Sequence, residues 1–197
     1  MTAVDDRIEM AETSGERPTL DEMFEALERM PVPEGYRVEI VEGDVFMTPQ
    51  RSTHWEIIRE ILWALGDKFG RRARVFSDVR IDFPGGENGF CPDVAKLSDE
   101  AVPDSRGHWD HADVEFVAEV ISKGTARNDY EPKKAAYATA EVPVYLIADP
   151  YQGRCHVYTE PKDGQYVSEL VVDFGADLDL SRTPLGLVLK TDGFPRE

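Results

Sequence analysis

Residues 114–150 read VEFVAEVISKGTARNDYEPKKAAYATAEVPVYLIADP, and the order of patterns within them decides the fold class. Val114 to Ile121 is an apolar run broken by two acids, Glu115 and Glu119, the pattern of a strand buried on both faces. Residues 129–140 carry helical spacing, with Pro132 tolerable in a first turn. Val142 to Ile147 then returns as a strand ending at Asp149-Pro150. Strand, helix, strand in that order predicts a right-handed βαβ crossover, hence an α/β fold with a central mixed sheet flanked by helices.

Glu119 stands where a charge is hard to bury without a partner or a metal. In a strand it shares a face with Val117 and Ile121, while Phe116, Ala118 and Val120 share the other. One face must therefore open to a polar site at the strand's C-terminal end, where the loop Ser122-Lys123-Gly124-Thr125 follows. A structural arginine paired with Glu119 would satisfy the same pattern. Asp129, Lys133 and Tyr137, four apart, fall on one stripe of the next helix, although an ordinary i,i+4 ion pair is the plainer account of the first two. Ser122 and Thr125 suit the shaping of a turn better than nucleophilic attack.

Outward from this block, Pro92-Asp93-Val94-Ala95-Lys96-Leu97 reads as a short strand opened by an acid, and residues 98–113 as a polar loop. Strands are expected at 74–76 and 79–83. Ser52 or Thr53 to Phe69 keeps a helical period in Ile57, Ile61, Leu62 and Leu65, with Gly70 as its stop. Residues 36–47 form a hairpin around Glu42-Gly43-Asp44. Thr19 and Glu22 spell a capping box ahead of an amphipathic helix. Residues 1–17 read as a flexible acidic tail and 18–197 as a single domain, with a motif core at 36–150 and a C-terminal strand extension at 151–197. Strands are expected there near 155–158, 166–172 and 185–189.

The chain has 197 residues and a formal charge of −17. That balance argues against loose binding to nucleic acid or anionic membrane, since such binding depends on Lys and Arg. The charge is uneven: residues 51–74 hold six bases (Arg51, Arg59, Lys68, Arg71, Arg72, Arg74) against three acids, so one local surface is positive. No apolar stretch approaches the ~20 residues of a membrane span, and the N-terminal residues lack a signal pattern, so the cytoplasm is expected and no membrane partner is. Cys91 and Cys155 make no disulfide framework. The spacings of His108 with His111 and of Cys155 with His156 fit no standard zinc set. Neither a P-loop nor a GxGxxG is present.

Taken together, YRVEIVEGDVFMTP, His54, CPDVA and the quoted block resemble the Uma2 family of restriction endonucleases, a branch of the PD-(D/E)XK nuclease superfamily. The resemblance implies a restriction-endonuclease-like three-layer fold and an endonuclease that hydrolyses DNA with Mg²⁺ or Mn²⁺. It implies that Asp93, Glu119 and Lys133 are catalytic, with metal held by Asp93, Glu119, Glu39 and the backbone of Val120. Ile121 stands where the superfamily's usual lysine would be, so that role passes to Lys133 on the following helix. Lys123 is the alternative lysine. Substrate contacts fall to His54, Lys123, Arg127 and Lys134, although a solvent-facing or structurally hydrogen-bonded histidine is the plainer account of His54, with Asp129 and Tyr137 in support. A homodimer is a further expectation, because cutting two strands favours paired sites. The competing readings are a catalytically silent module that retains the fold, and a metal hydrolase of another phosphoester.

Overall fold

The computed structural model describes residues 7–8, 18–32, 35–49, 51–85 and 87–197. The helix α1 (Leu20–Glu28) starts at a full capping box: Thr19 Oγ1 accepts the Glu22 N–H (3.3 Å) and Glu22 Oε2 accepts the Thr19 N–H (2.8 Å). Its buried Met23 and Leu27 rest on Ile40 and Val45 of a hairpin, β2 (Tyr36–Val41) and β3 (Asp44–Pro49). Glu42 and Gly43 both have positive φ (52° and 82°), the backbone a two-residue turn needs to match the twist of its strands. The tail expected over 1–17 lies outside the described residues, except for β1 (Arg7–Ile8), which pairs antiparallel with β3.

The hairpin belongs to a six-stranded sheet in the order β1-β3-β2-β6-β5-β8, with β5 (Ile81–Phe83), β6 (Asn88–Phe90) and β8 (Trp109–Asp110). The second six-stranded sheet runs β12-β11-β10-β9-β7-β4, with β4 (Val75–Phe76), β7 (Val94–Leu97), β9 (Val114–Val120), β10 (Val144–Asp149), β11 (Arg154–Lys162) and β12 (Gln165–Asp173). β9 and β10 are its parallel pair, joined by the helical crossover expected between them. A short ribbon of β13 (Leu178–Leu180) and β14 (Leu187–Leu189) completes the strands.

The helix α2 (Ser52–Phe69) lays Ile57, Ile58, Ile61 and Leu65 on Phe116, Ala118 and Val120 of β9 and on Val144, Leu146 and Ala148 of β10. The opposite sheet face, Val117, Tyr145 and Ile147, packs with Ile121 against Phe83, Phe90, Ala136 and Tyr137. Burial on both faces is what the near-continuous apolar runs of these two strands require. The result is a mixed α/β architecture with helices flanking the sheets, and no helix among the described residues is long and apolar enough to cross a membrane.

Three differences from the sequence reading have physical causes. The strands β6, β8 and β13 are two or three residues long, too short to display a period. Residues 98–113 therefore contain β8 and a 3₁₀ turn (His111–Asp113) rather than loop alone. The crossover helix begins at Ala126, not near Asp129, so Pro132 falls inside it. It runs as α3 (Ala126–Asn128), a π turn (Asp129–Lys133) and α4 (Lys134–Thr139). A proline lacks the N–H for the regular ladder and its ring crowds the preceding turn, so the helix widens there.

Candidate active site

Five elements, β2, α2, β7, β9 and the crossover helix, meet at one buried point. Asp93 immediately precedes β7, and the pairing of Val94 with Ala118 sets it beside Glu119 of β9. The Asp93 N–H donates to Glu119 Oε2 (3.3 Å) and the Val120 N–H donates to Asp93 Oδ2 (2.7 Å). From the π turn, Lys133 Nζ lies 2.6 Å from Glu119 Oε1, 2.9 Å from Glu39 Oε1 on β2 and 3.0 Å from Asp129 Oδ1. One turn later the Tyr137 hydroxyl donates to Glu119 Oε1 (2.6 Å). His54 of α2 approaches Asp93 Oδ2 through Nε2 (3.2 Å). Asp93, Glu119 and Lys133 are each 0% exposed and Glu39 is 3% exposed, so every charge here must be met by protein or by a bound ion.

Sequence reasoning missed Arg37. Its Nη1 lies 2.5 Å from Asp93 Oδ1 and 3.5 Å from Glu119 Oε2, donates to the Cys91 carbonyl (3.1 Å), and is 3.8 Å from Asp78. The signal was present in the hairpin: Arg37 and Glu39 are two apart in a strand and so share its face, and the pair is buried together. The arginine that competed with a metal as an account of Glu119 is therefore real, and it stands with the lysine rather than instead of it.

The electrostatics divide the two central carboxyls. Burial raises Glu119 to about 8, a push that Lys133 and Arg37 only partly oppose. Burial acts upward on Asp93 too, but Arg37, the His54 hydrogen bond and the Val120 N–H outweigh it and hold Asp93 at about 2. Asp129 is raised, chiefly by burial. For Lys133, burial is overcome by Asp129, Glu119 and Glu39, and its pKa lies well above the ordinary value. Its ammonium is a fixed cation and not a base.

The donor set fits a hard divalent cation. Four carboxyls (Glu39, Asp93, Glu119, Asp129) face two cations (Arg37, Lys133), an excess of two acidic groups in a buried space. Glu39 Oε2 is buried without a hydrogen bond, its neighbour being Arg37 Nε at 3.3 Å. Oxygen ligands of this kind suit Mg²⁺ or Mn²⁺, and the backbone of Val120 adjoins them. A separate trio, Asp21, Asp82 and His108, brings its ligand atoms within 4.8 Å of one another. It is only half-buried, and Arg80 and Arg106 already pair with Asp21, and Arg80 also with Asp82.

Glu39, Asp93, Glu119, Lys133, Asp129, Tyr137 and His54 are thus brought together, with His54 buried rather than facing solvent. Lys123 is exposed in the loop after β9. Arg127 is exposed and pairs with Glu131 (2.6 Å). Lys134 places its Nζ over the Tyr158 ring (4.7 Å), away from the acids. The side chain of Val120 points into the α2 side of the core, leaving only its backbone on the site. These three exposed or outward cations do not join the buried cluster.

A solved structure described as "a putative nuclease belonging to DUF820", from Anabaena variabilis, has the same fold with a TM-score of 0.67, covering 90% of this chain and 97% of its own at 19% identity. No curated protein matches. Residues 22–192 match the profile of the family Uma2, whose description is "Putative restriction endonuclease". That span runs from α1 through β14 and includes every residue of the buried cluster, and the chain belongs to the Uma2 family.

Proposed function

We propose that the chain is a divalent-metal-dependent endonuclease that hydrolyses DNA phosphodiester bonds. The observation that carries this reading is the convergence of Glu39, Asp93 and Glu119 on one buried point with Lys133 among them. Glu39, Asp93, Glu119 and the backbone carbonyl of Val120 would hold Mg²⁺ or Mn²⁺. Such an ion, when bound, polarises a scissile phosphate and lowers the pKa of a water. Lys133 orients Glu119 and Glu39, and its permanent ammonium offsets negative charge that builds on the phosphate. Tyr137 and Asp129 fix that lysine–glutamate arrangement, and His54 with the Val120 N–H fixes Asp93.

The strand would dock along α2. Arg51, Trp55, Arg59 and Trp63 recur every fourth residue on that helix, Trp55 and Trp63 are exposed, and the Arg59 guanidinium lies 4.8 Å from the Trp63 ring centroid. Beyond the helix, Arg71, Arg72 and Arg74 line a cavity of about 510 Å³. Lys123 would add a phosphate contact from the loop after β9. Arg127 and Lys134, already engaged by Glu131 and Tyr158, would have to give up those partners to do the same.

The test is nicking of supercoiled plasmid at low salt with Mg²⁺ or Mn²⁺, comparing wild type with Asp93→Asn, Glu119→Gln and Lys133→Met, all shown folded by circular dichroism. Metal-dependent nicking lost in all three is expected. Equal traces of cutting in wild type and variants would sink the reading and favour a silent binding module. Metal binding without action on DNA would instead favour another phosphoester.

A further inference from the structure

The oxygens at the centre of the site are almost all committed. Asp93 Oδ2 is taken by His54 and the Val120 N–H, and Glu119 Oε1 by Lys133 and Tyr137. Asp93 Oδ1 and Glu119 Oε2, the latter also accepting the Asp93 N–H (3.3 Å), both face one atom, Arg37 Nη1, at 2.5 and 3.5 Å. The Cys91 carbonyl (3.1 Å) and Asp78 (3.8 Å) bring to four the oxygens gathered around that single nitrogen. A shell of oxygens around one cationic atom is the arrangement a metal ion would require.

We propose that the Arg37 guanidinium is the resident cation of the metal position, and that a divalent ion binds by displacing Nη1 toward Asp78. This rests on the nuclease reading and deepens it by making metal entry an exchange of cations. The exchange improves the charge balance, because the four carboxyls exceed Arg37 and Lys133 together by two, and replacing the guanidinium with a divalent ion reduces that excess to one. Asp78 is suited to receive the arginine. It stands at the rim with its side chain 46% exposed, in a left-handed backbone conformation (φ 57°) that Asp tolerates, and its N–H donates to the Pro92 carbonyl (3.0 Å). Nε beside Glu39 Oε2 is an ion pair without hydrogen-bond geometry, so the hydrogen bonds that hold the group are those of Nη1, the atom a metal would displace.

The experiment is Mn²⁺ titration of the full chain, read by the electron paramagnetic resonance signal of free Mn²⁺, for wild type, Arg37→Met, Arg37→Lys and Asp93→Asn. Removing the competing cation should tighten Mn²⁺ binding about ten-fold in Arg37→Met, with Arg37→Lys in between. Arg37→Met should also melt below wild type in EDTA and recover with Mn²⁺. Equal or weaker affinity in Arg37→Met overturns the proposal, as does a protein that Mn²⁺ fails to restore. If Arg37→Met does not fold, Arg37→Lys must bind Mn²⁺ more tightly than wild type for the proposal to stand. The two levels fail separately. Mn²⁺ binding that Asp93→Asn leaves intact removes the metal site and the nuclease reading with it. Binding that Asp93→Asn abolishes but Arg37 variants do not improve removes only the exchange.

Discussion

Glu119 and Asp93 touch the same arginine yet respond to pH in opposite directions. Glu119 titrates at about 8 in the folded chain against 4.5 for an ordinary glutamate, so between those values the folded state holds a proton that the unfolded state has lost. Its contribution is complete below about 4.5 and disappears as pH rises through about 8. Asp93, held at about 2 against 3.8, contributes above 3.8 and fails only as pH falls through about 2. Melting in EDTA should therefore show wild type losing several degrees between pH 5 and 9, while Glu119→Gln, with no proton to lose there, stays flatter. Parallel curves would mean that burial does not raise Glu119. Lys133→Met leaves Glu39, Glu119 and Asp129 facing one another without their shared cation. Breaking such a buried network should cost about 3–5 kcal/mol, seen as a marked fall in Tm, and should abolish nicking even where the protein is kept folded. Most of this cluster was legible, because an acid inside an apolar strand and a four-residue stripe on the next helix each constrain direction. Arg37 was missed, because its shared strand face with Glu39 signals a pair but not that the pair is buried.

At the scale of elements, the site depends on two departures from regular structure. The π turn over Asp129–Lys133 sits where Pro132 removes a ladder N–H, and it turns both charged ends of that segment toward β2 and β9. Composition revealed the proline but not the widening, because the earlier start of the helix at Ala126 depends on packing against the strands. The hairpin that carries Arg37 and Glu39 was readable from Glu42-Gly43, and its register follows from that turn. Gly43 holds φ 82°, and a Cβ there would come within 2.4 Å of the Glu87 carboxylate. The side chain can move but the backbone angle cannot, so Gly43→Ala should destabilise by about 1–2 kcal/mol. A urea midpoint lowered at unchanged m-value would check it. An unaltered midpoint would mean that the turn adopts another backbone in solution.

On the proposed endonuclease reading, the question for the whole molecule is how a chain of charge −17 approaches a polyanion. Along α2 and the segment after it bases outnumber acids six to three, while acid prevails elsewhere, including nine acidic residues against three basic ones in residues 1–30. Attraction is then local and repulsion spread over the rest of the surface, so binding should weaken steeply with ionic strength. Each phosphate neutralised contributes about 0.9 to the slope of log affinity against log salt. Fluorescence anisotropy of a labelled duplex should accordingly give a steep negative slope for wild type. Arg71→Gln with Arg72→Gln should flatten it by about two, with the melting temperature unchanged because both arginines are exposed after the last turn of α2. An unchanged slope would move the docking surface off this arginine cluster while leaving the buried carboxylates untouched, since the two are set at different parts of α2: His54 meets Asp93 near its start, and Arg71 follows its last turn.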